Sequence, residues 1–401
     1  VPVESLPLGR HRLSLRVRNA DGSTEFRTER SIAVVRPLDV QPAEPIRTSR
    51  ATPKGLLVND KPFLSVMYYH NPIGNLEVMA DLRRDYGATT AQVWGGNSID
   101  ALVGHVDALY RIGIYSWAVL FHPAMCDLKA KKWKTDQLVE TVERLKNHPG
   151  LIGWDLIDEP DGHRMPPEEV RRAADLVRQH DPNHVIWVNL CFIDKFEEYA
   201  GPSDLASYDT YPVCRGLGLD VIQRYNRAIL KSTGGEKPLV SVIETWAGVG
   251  MSHITAAQLR AMTYLNICDG MTIFKFYSWR DPLGTNLANT PALRNEARLL
   301  AHELYGLRPF LFSDRIVETQ IAEPDDEHCL SLAKVVGKQI VLVIVNPTSE
   351  PRASCRVTVP GKQILSAVDR FDPMFRPRVV GKGLVVPLSP YGVAILELDV
   401  K

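Results

Sequence analysis

Between residues 54 and 310 the sequence alternates short apolar runs with amphipathic helical stretches eight times, and this alternation limits the possible folds more than any other feature. The apolar runs are Phe63–Tyr69, Thr89–Trp94, Tyr115–Phe121, Leu151–Ile157, Val185–Leu190, Leu205–Tyr211, Leu239–Ile243 and Gly270–Tyr277, all of strand length. Ser98 stands where it can cap a helix whose Ile99, Leu102, Val106 and Leu109 share one face. Leu138, Val142 and Leu145 form a second stripe. Pro166-Pro167-Glu168-Glu169 opens a third helix, bearing Val170, Ala173 and Val177, with proline and acids in its first turn. Val221, Tyr225 and Ala228 line a fourth that stops at Gly234-Gly235, and Leu293, Ala297, Leu300 and Leu304 line the last. Eight such units in about 250 residues match a (β/α)8 TIM barrel. A doubly wound open sheet shares the alternation but usually carries a glycine-rich phosphate loop after its first strand. Here that strand runs into Tyr68-Tyr69-His70-Asn71-Pro72, so the expected class is α/β with a barrel over 54–310.

The flanks read differently. Residues 1–53 are expected to be an N-terminal β segment and linker. His11–Val17 and Ser31–Val35 flank the turn Asn19-Ala20-Asp21-Gly22, and Pro37, Pro42, Pro45 and Pro53 punctuate a connecting stretch. Residues 311–401 return to strands around Gly337-Lys338 and Gly381-Lys382-Gly383, the pattern of a small antiparallel β-sandwich. Lys+Arg and Asp+Glu are 47 each, so the basic excess of a nucleic-acid binder is missing. No apolar run approaches the ~20 residues of a bilayer span, so neither nucleic acid nor membrane is an expected partner. Six scattered cysteines, with no C-x-x-C pair, do not make a disulfide scaffold. The sequence opens on Val1 with no signal-peptide pattern, the form expected of a trimmed or processed product.

In a barrel of this kind the reactive groups stand where strands end at the C-terminal face. The eight strand ends carry His70, Trp94, His122, Asp158-Glu159, Asn189, Asp209 with Tyr211, Glu244-Thr245-Trp246, and Trp279. Glu159 and Glu244 each follow a buried strand, the fourth and the seventh. Glycoside hydrolysis needs such a pair, one carboxyl protonating the leaving oxygen and the other attacking the anomeric carbon. Carboxyls about 5–5.5 Å apart would make the mechanism a retaining one. The aromatic residues Trp94, Trp246 and Trp279 can stack on sugar faces, or can be ordinary core and rim residues. His180-Asp181-Pro182-Asn183-His184 has two histidines, but Pro182 breaks the spacing, and the segment reads as a helix-to-strand turn rather than a metal site.

Over about residues 55–310 the chain resembles the large clan of retaining glycoside hydrolases with (β/α)8 barrels and catalytic glutamates after strands four and seven (clan A-like). Gly153-Trp154-Asp155-Leu156-Ile157-Asp158-Glu159-Pro160 resembles the clan's acid/base motif, and Val242-Ile243-Glu244-Thr245-Trp246 its nucleophile strand. Tyr211 matches a strand-six tyrosine that hydrogen-bonds the nucleophile, Trp279 a strand-eight tryptophan beneath the sugar, and His122 a strand-three histidine. The resemblance implies Glu159 as acid/base and Glu244 as nucleophile. It implies a β-linked glycan or oligosaccharide as substrate, an extracytoplasmic home, and neither metal nor organic cofactor. Substrate contacts are expected from Tyr211, Trp279, Asp158, His122, Trp94, Trp246, His70, Asn189 and Asp209. Asp158 departs from the clan's usual asparagine: an ionised aspartate accepts and does not donate, which reverses the hydrogen bond to a sugar hydroxyl. Asp209 stands where some families have histidine. Two other readings fit the same residues. One is a carbohydrate-binding barrel without turnover; the other is a metal-dependent barrel hydrolase using His70, His122, Asp158 and Glu159. The sequence leaves the oligomeric state open.

Overall fold

The structure, a computed structural model, describes residues 9–34, 38, 44–96, 98–321, 329–372 and 374–401. The chain divides into two compact units: Leu38–Arg294, and the described residues of 1–37 with those of 295–401. Val35, Pro37 and Pro42, named above, lie outside the described residues.

All eight apolar runs of the first unit form strands. In order they are Ser65–Tyr68, Thr90–Val93, Tyr115–Val119, Leu151–Asp158, Val185–Asn189, Ala206–Asp209, Leu239–Glu244 and Ile273–Tyr277. They are called here the first to eighth strands. Strands two to five form one four-stranded sheet and strands six, seven, eight and one another; every pairing is parallel. Hydrogen bonds also link the edges of the two sheets. Between strands five and six, Leu190 N–H donates to Ser207 O (3.2 Å) and Asp209 N–H to Leu190 O (2.9 Å). Between strands one and two, Thr89 N–H donates to Val66 O (3.0 Å), and the Thr89 hydroxyl bridges Leu64 O and Val66 N–H.

The helices follow the expected stripes with one exception. Ser98 Oγ accepts from Ala101 N–H at the start of Ile99–Arg111, which buries Leu102, Val106 and Leu109. Thr135–Leu145 buries Leu138, Val142 and Leu145, and Pro167–His180 opens on its proline and buries Val170, Ala173 and Val177. Asp220–Ser232 instead buries Val221, Ile222, Asn226 and Ile229, while Tyr225 and Ala228 are only half-buried. The physical reason is Asn226. Its amide binds Asn266 and Asp269 and accepts from Tyr208, so a fully bonded polar residue occupies a core position that an apolar stripe cannot reveal.

Residues 49–52, inside the stretch expected as linker, form a strand. Ser49–Thr52, Gly55–Val58 and Lys61–Phe63 make a small antiparallel sheet. Its Leu56 and Val58 share a hydrophobic cluster with Met67, Trp117, Ile152, Trp187, Val240 and Ile273. Ser49 Oγ donates to Ile152 O (2.6 Å) and accepts from Val185 N–H (3.1 Å). Strands this short carry no readable period.

In the second unit, Gly9–Arg18 and Thr24–Val34 pair as a hairpin. Gly22, at φ +85°, supplies the left-handed residue its loop requires. The C-terminal part comprises two antiparallel sheets, one of five strands centred on Gln339–Val345 and Val393–Val400, the other of four centred on Arg352–Thr358 and Gly383–Leu388. Their inward residues, among them Leu342, Leu396, Val357 and Val386, form one hydrophobic cluster. All six cysteines are free thiols. Among the described residues no helix is long and apolar enough to cross a membrane.

Candidate active site

The fourth strand decides which acids meet. Its register with both neighbours shifts, at Asp155–Ile157 on one side and Leu151–Gly153 on the other, so the face a side chain takes after the irregularity is not the one strict alternation would give. Asp155 is buried in the interior, where the Gln92 amide donates to it. Asp158 accepts from Asn189 Nδ2 at 3.0 Å. Glu159 has φ +46°, a left-handed conformation that non-glycine residues adopt only when the surroundings enforce it. Here they do. Glu159 N–H donates to Asn189 O (2.9 Å) and His163 N–H donates to Glu159 O (2.8 Å). Next to it, Asp161 accepts from the backbone of Cys191 and Phe192. Two consecutive carboxylates thereby line the same pocket.

That pocket, of about 210 Å³, is lined by Asp158, Glu159, Asn189, Tyr211 and His70, together with Trp246, Tyr69, Lys275, Tyr277 and Val242. Asn189 is its polar hub: Nδ2 donates to Asp158 (3.0 Å) and Asp209 (2.9 Å), and Oδ1 accepts from Ser207, which in turn accepts from Trp187 Nε1. The buried Asp209 carboxyl accepts from Asn189 and has Glu159, Asp158 and Tyr211 as its electrostatic neighbours. Burial first, and then the negative charges of Glu159 and Asp158, push Asp209 well above the usual carboxylate range. Lys275, 2 % exposed, places its ammonium 4.7 Å from the ring centroids of both Tyr69 and Trp187.

Glu244 stands apart. It is fully buried and outside this lining; Oε2 accepts from Val213 N–H (2.9 Å) and Oε1 from Cys214 N–H (2.8 Å). Burial raises its carboxyl, and the Cys214 and Val213 donors oppose that rise. Tyr211, expected to orient Glu244, has the Asp209 carboxyl as its charged neighbour, and Glu244 takes its hydrogen bonds from the backbone of Val213 and Cys214.

Trp279, expected beneath the sugar, is buried edge-on against Tyr68 and Tyr86 at centroid distances of 6.1 and 5.0 Å, and Tyr277 lines the pocket in its place. His122 is buried with Nδ1 accepting from Ala124 N–H (3.3 Å), and lies outside this lining. Trp94 lines an adjoining pocket. The His180–His184 segment is a structural turn: His184 and Trp154 both bind the buried Asp181, and His180 binds Glu143. Among the described residues no group of three or more His, Cys, Asp or Glu is arranged to hold a metal ion.

The pocket's Tyr69, Lys275 and Tyr277 were absent from the residues singled out in the sequence. The signal was a lysine inside the apolar run Ile273-Phe274-Lys275-Phe276-Tyr277, with Tyr277 two residues on and so on the same face.

No family model matches the chain, and no curated protein matches it. Solved structures do. A family 39 glycoside hydrolase from the gut symbiont Bacteroides cellulosilyticus WH2 is 14% identical, with TM-score 0.57, over 98% of this chain and 88% of that one. The chain shares the fold of that protein. A GH30 endoxylanase from Clostridium papyrosolvens C71 (11% identity, TM-score 0.51, 89% and 98% covered) and an α-amylase from Geobacillus thermoleovorans (11%, 0.52, 83% and 93%) are similar to it too. At these identities the likeness is one of fold.

Proposed function

We propose that the chain is a retaining glycoside hydrolase acting on a glycan or oligosaccharide, with Glu159 as general acid/base and Glu244 as nucleophile. The observation that carries this reading is the pair of carboxylates, Asp158 and Glu159, in a pocket walled by tyrosine and tryptophan rings, with the buried Asp209 beside them. In this reading the two parallel sheets close into one (β/α)8 barrel, which the hydrogen bonds at both seams support. Residues 54–310 are its catalytic part and 311–401 a β-sandwich.

Glu159 gives a proton to the glycosidic oxygen as its bond to the anomeric carbon breaks. Glu244 supplies the new bond. Its backbone donors favour the ionised form that attack requires, against the burial that raises its carboxyl. Water then cleaves the glycosyl ester, and Glu159 takes its proton. Asp158 and Asn189 meet sugar hydroxyls, and Trp246 and Tyr277 its apolar face. The β-linkage and an extracytoplasmic home rest on the motif resemblance alone.

A second reading, carbohydrate binding without turnover, is favoured by the enclosure of Glu244. Hydrolysis of aryl α- and β-glycosides by wild type, Glu159→Gln and Glu244→Ala separates the two. Turnover lost in Glu244→Ala and restored by azide as a glycosyl azide supports the first reading. Oligosaccharide binding with no turnover of any glycoside by wild type supports the second.

A further inference from the structure

A second pocket, of about 280 Å³, adjoins the first, and His70 lines both. Its other walls are Asn71, Gln92, Trp94, Arg280 and Pro282. Three of these residues have unmet chemistry. Gln92 is 2 % exposed, and its Nε2 donates to Asp155, which leaves the buried Oε1 without a donor. Asn71 Nδ2 donates to Tyr68 O (3.1 Å), and its buried Oδ1 likewise has none. Buried oxygens of this kind are nearly always hydrogen-bonded, so both call for a donor that the described residues do not supply. The third residue is Arg280. The neighbouring Asp281 is occupied elsewhere: Oδ1 accepts from Leu283 N–H, and Oδ2 accepts from the Tyr277 hydroxyl and lies 3.5 Å from His70 Nδ1. The Arg280 guanidinium is exposed and has neither ion pair nor hydrogen bond among the described residues.

Amide side chains and an indole ring lining one pocket suit a second sugar, with hydroxyls for the polar wall and a C–H face for the ring. A planar guanidinium with no counter-ion suits a carboxylate or a sulfate, which it binds through paired N–H groups. We propose that this pocket binds a further sugar unit bearing an anionic group, a uronate carboxylate or a sulfate ester, with the anion on Arg280. The inference rests on the carbohydrate reading above and names the class of substrate that the site selects.

The test reads binding. Glu159→Gln protein, with and without Arg280→Gln, is titrated calorimetrically against matched neutral, uronate-bearing and 6-O-sulfated xylo-, gluco- and galacto-oligosaccharides. The expected result is at least about tenfold tighter binding of one acidic series than of its neutral counterpart. That preference disappears with Arg280→Gln and shrinks at high salt; the series that wins identifies the anion. Equal affinity for neutral and acidic members, a preference that survives Arg280→Gln, or no binding by any member overturns the proposal. Failure of the parent reading looks different. Neutral aryl glycosides occupy only the first pocket, so their hydrolysis without acidic preference removes this inference and leaves the hydrolase, whereas acidic preference without hydrolysis does the reverse.

Discussion

At the scale of single residues, the site is a matter of which oxygen holds which proton. Asp209 is a positioning residue for Glu159, and its replacement has a signature that a merely structural residue would not give. Asp209→Asn replaces the buried carboxyl, whose burial favours its protonated form, with an amide that does not titrate. Turnover of substrates with poor leaving groups should fall by about 10²-fold or more, the scale of general-acid assistance, while 2,4-dinitrophenyl glycosides, which need no acid, should be nearly unaffected. Equal loss on both would contradict the role. Glu244→Gln places an amide where two backbone N–H groups require acceptors. One hydrogen bond is lost and two donors face each other, so a thermal melt should shift down by several degrees, corresponding to about 2–3 kcal/mol. At this scale the sequence was half legible. The acid–proline step after strand four announces Asp158 and Glu159. Nothing local announces that Glu244 is clasped by the turn after strand six, because its donors are backbone amides some thirty positions away in the chain.

At the scale of elements, the loops after strands seven and eight are stitched together. Ala247 and Thr285 exchange backbone hydrogen bonds (3.0 and 2.9 Å), and Trp246 Nε1 donates to Leu283 O (2.6 Å). Gly284 permits this approach: its φ is +97°, and a Cβ there would stand 2.1 Å from Ala247 O. Gly284→Ala should therefore cost ~2 kcal/mol or more and free the loop that carries Trp246. Hydrogen exchange at Ala247 and Thr285 should quicken and KM should rise more than kcat falls; an unchanged KM would separate this stitch from the pocket. The eight strands and most helices were legible because burial enforces their period. The sheet of residues 49–63 was not, for its three- and four-residue strands offer no period and its prolines read as linker.

At the scale of the whole molecule, the first unit carries a charged layer in its interior. Burial pushes Asp155 up to about 7, with the Lys275 charge opposing the rise. In the unfolded chain an aspartate titrates near 4. Between those two values the folded state keeps a proton that the unfolded state releases. Asp155 therefore contributes stability that is fully present below about pH 4 and lost as pH rises through about 7, on the order of a few kcal/mol. Asp155→Asn has no such titration. Denaturant unfolding should show its stability relative to wild type increasing from pH 4 to pH 7 and then levelling, and a flat difference would contradict the burial-driven shift. This layer was invisible in the sequence, since the partners of Asp155 come from strands two and eight. The irregularity in strand four separates that layer from the pocket, and it acts as a frameshift does in a message. Residues before it are spelled for the packed interior, and those after it for the opening. A reading that carries strict alternation across Leu156 points the wrong acid at the pocket. Reading in two halves, one anchored on Asp155 and the other on Asp158-Glu159-Pro160, keeps the two meanings apart.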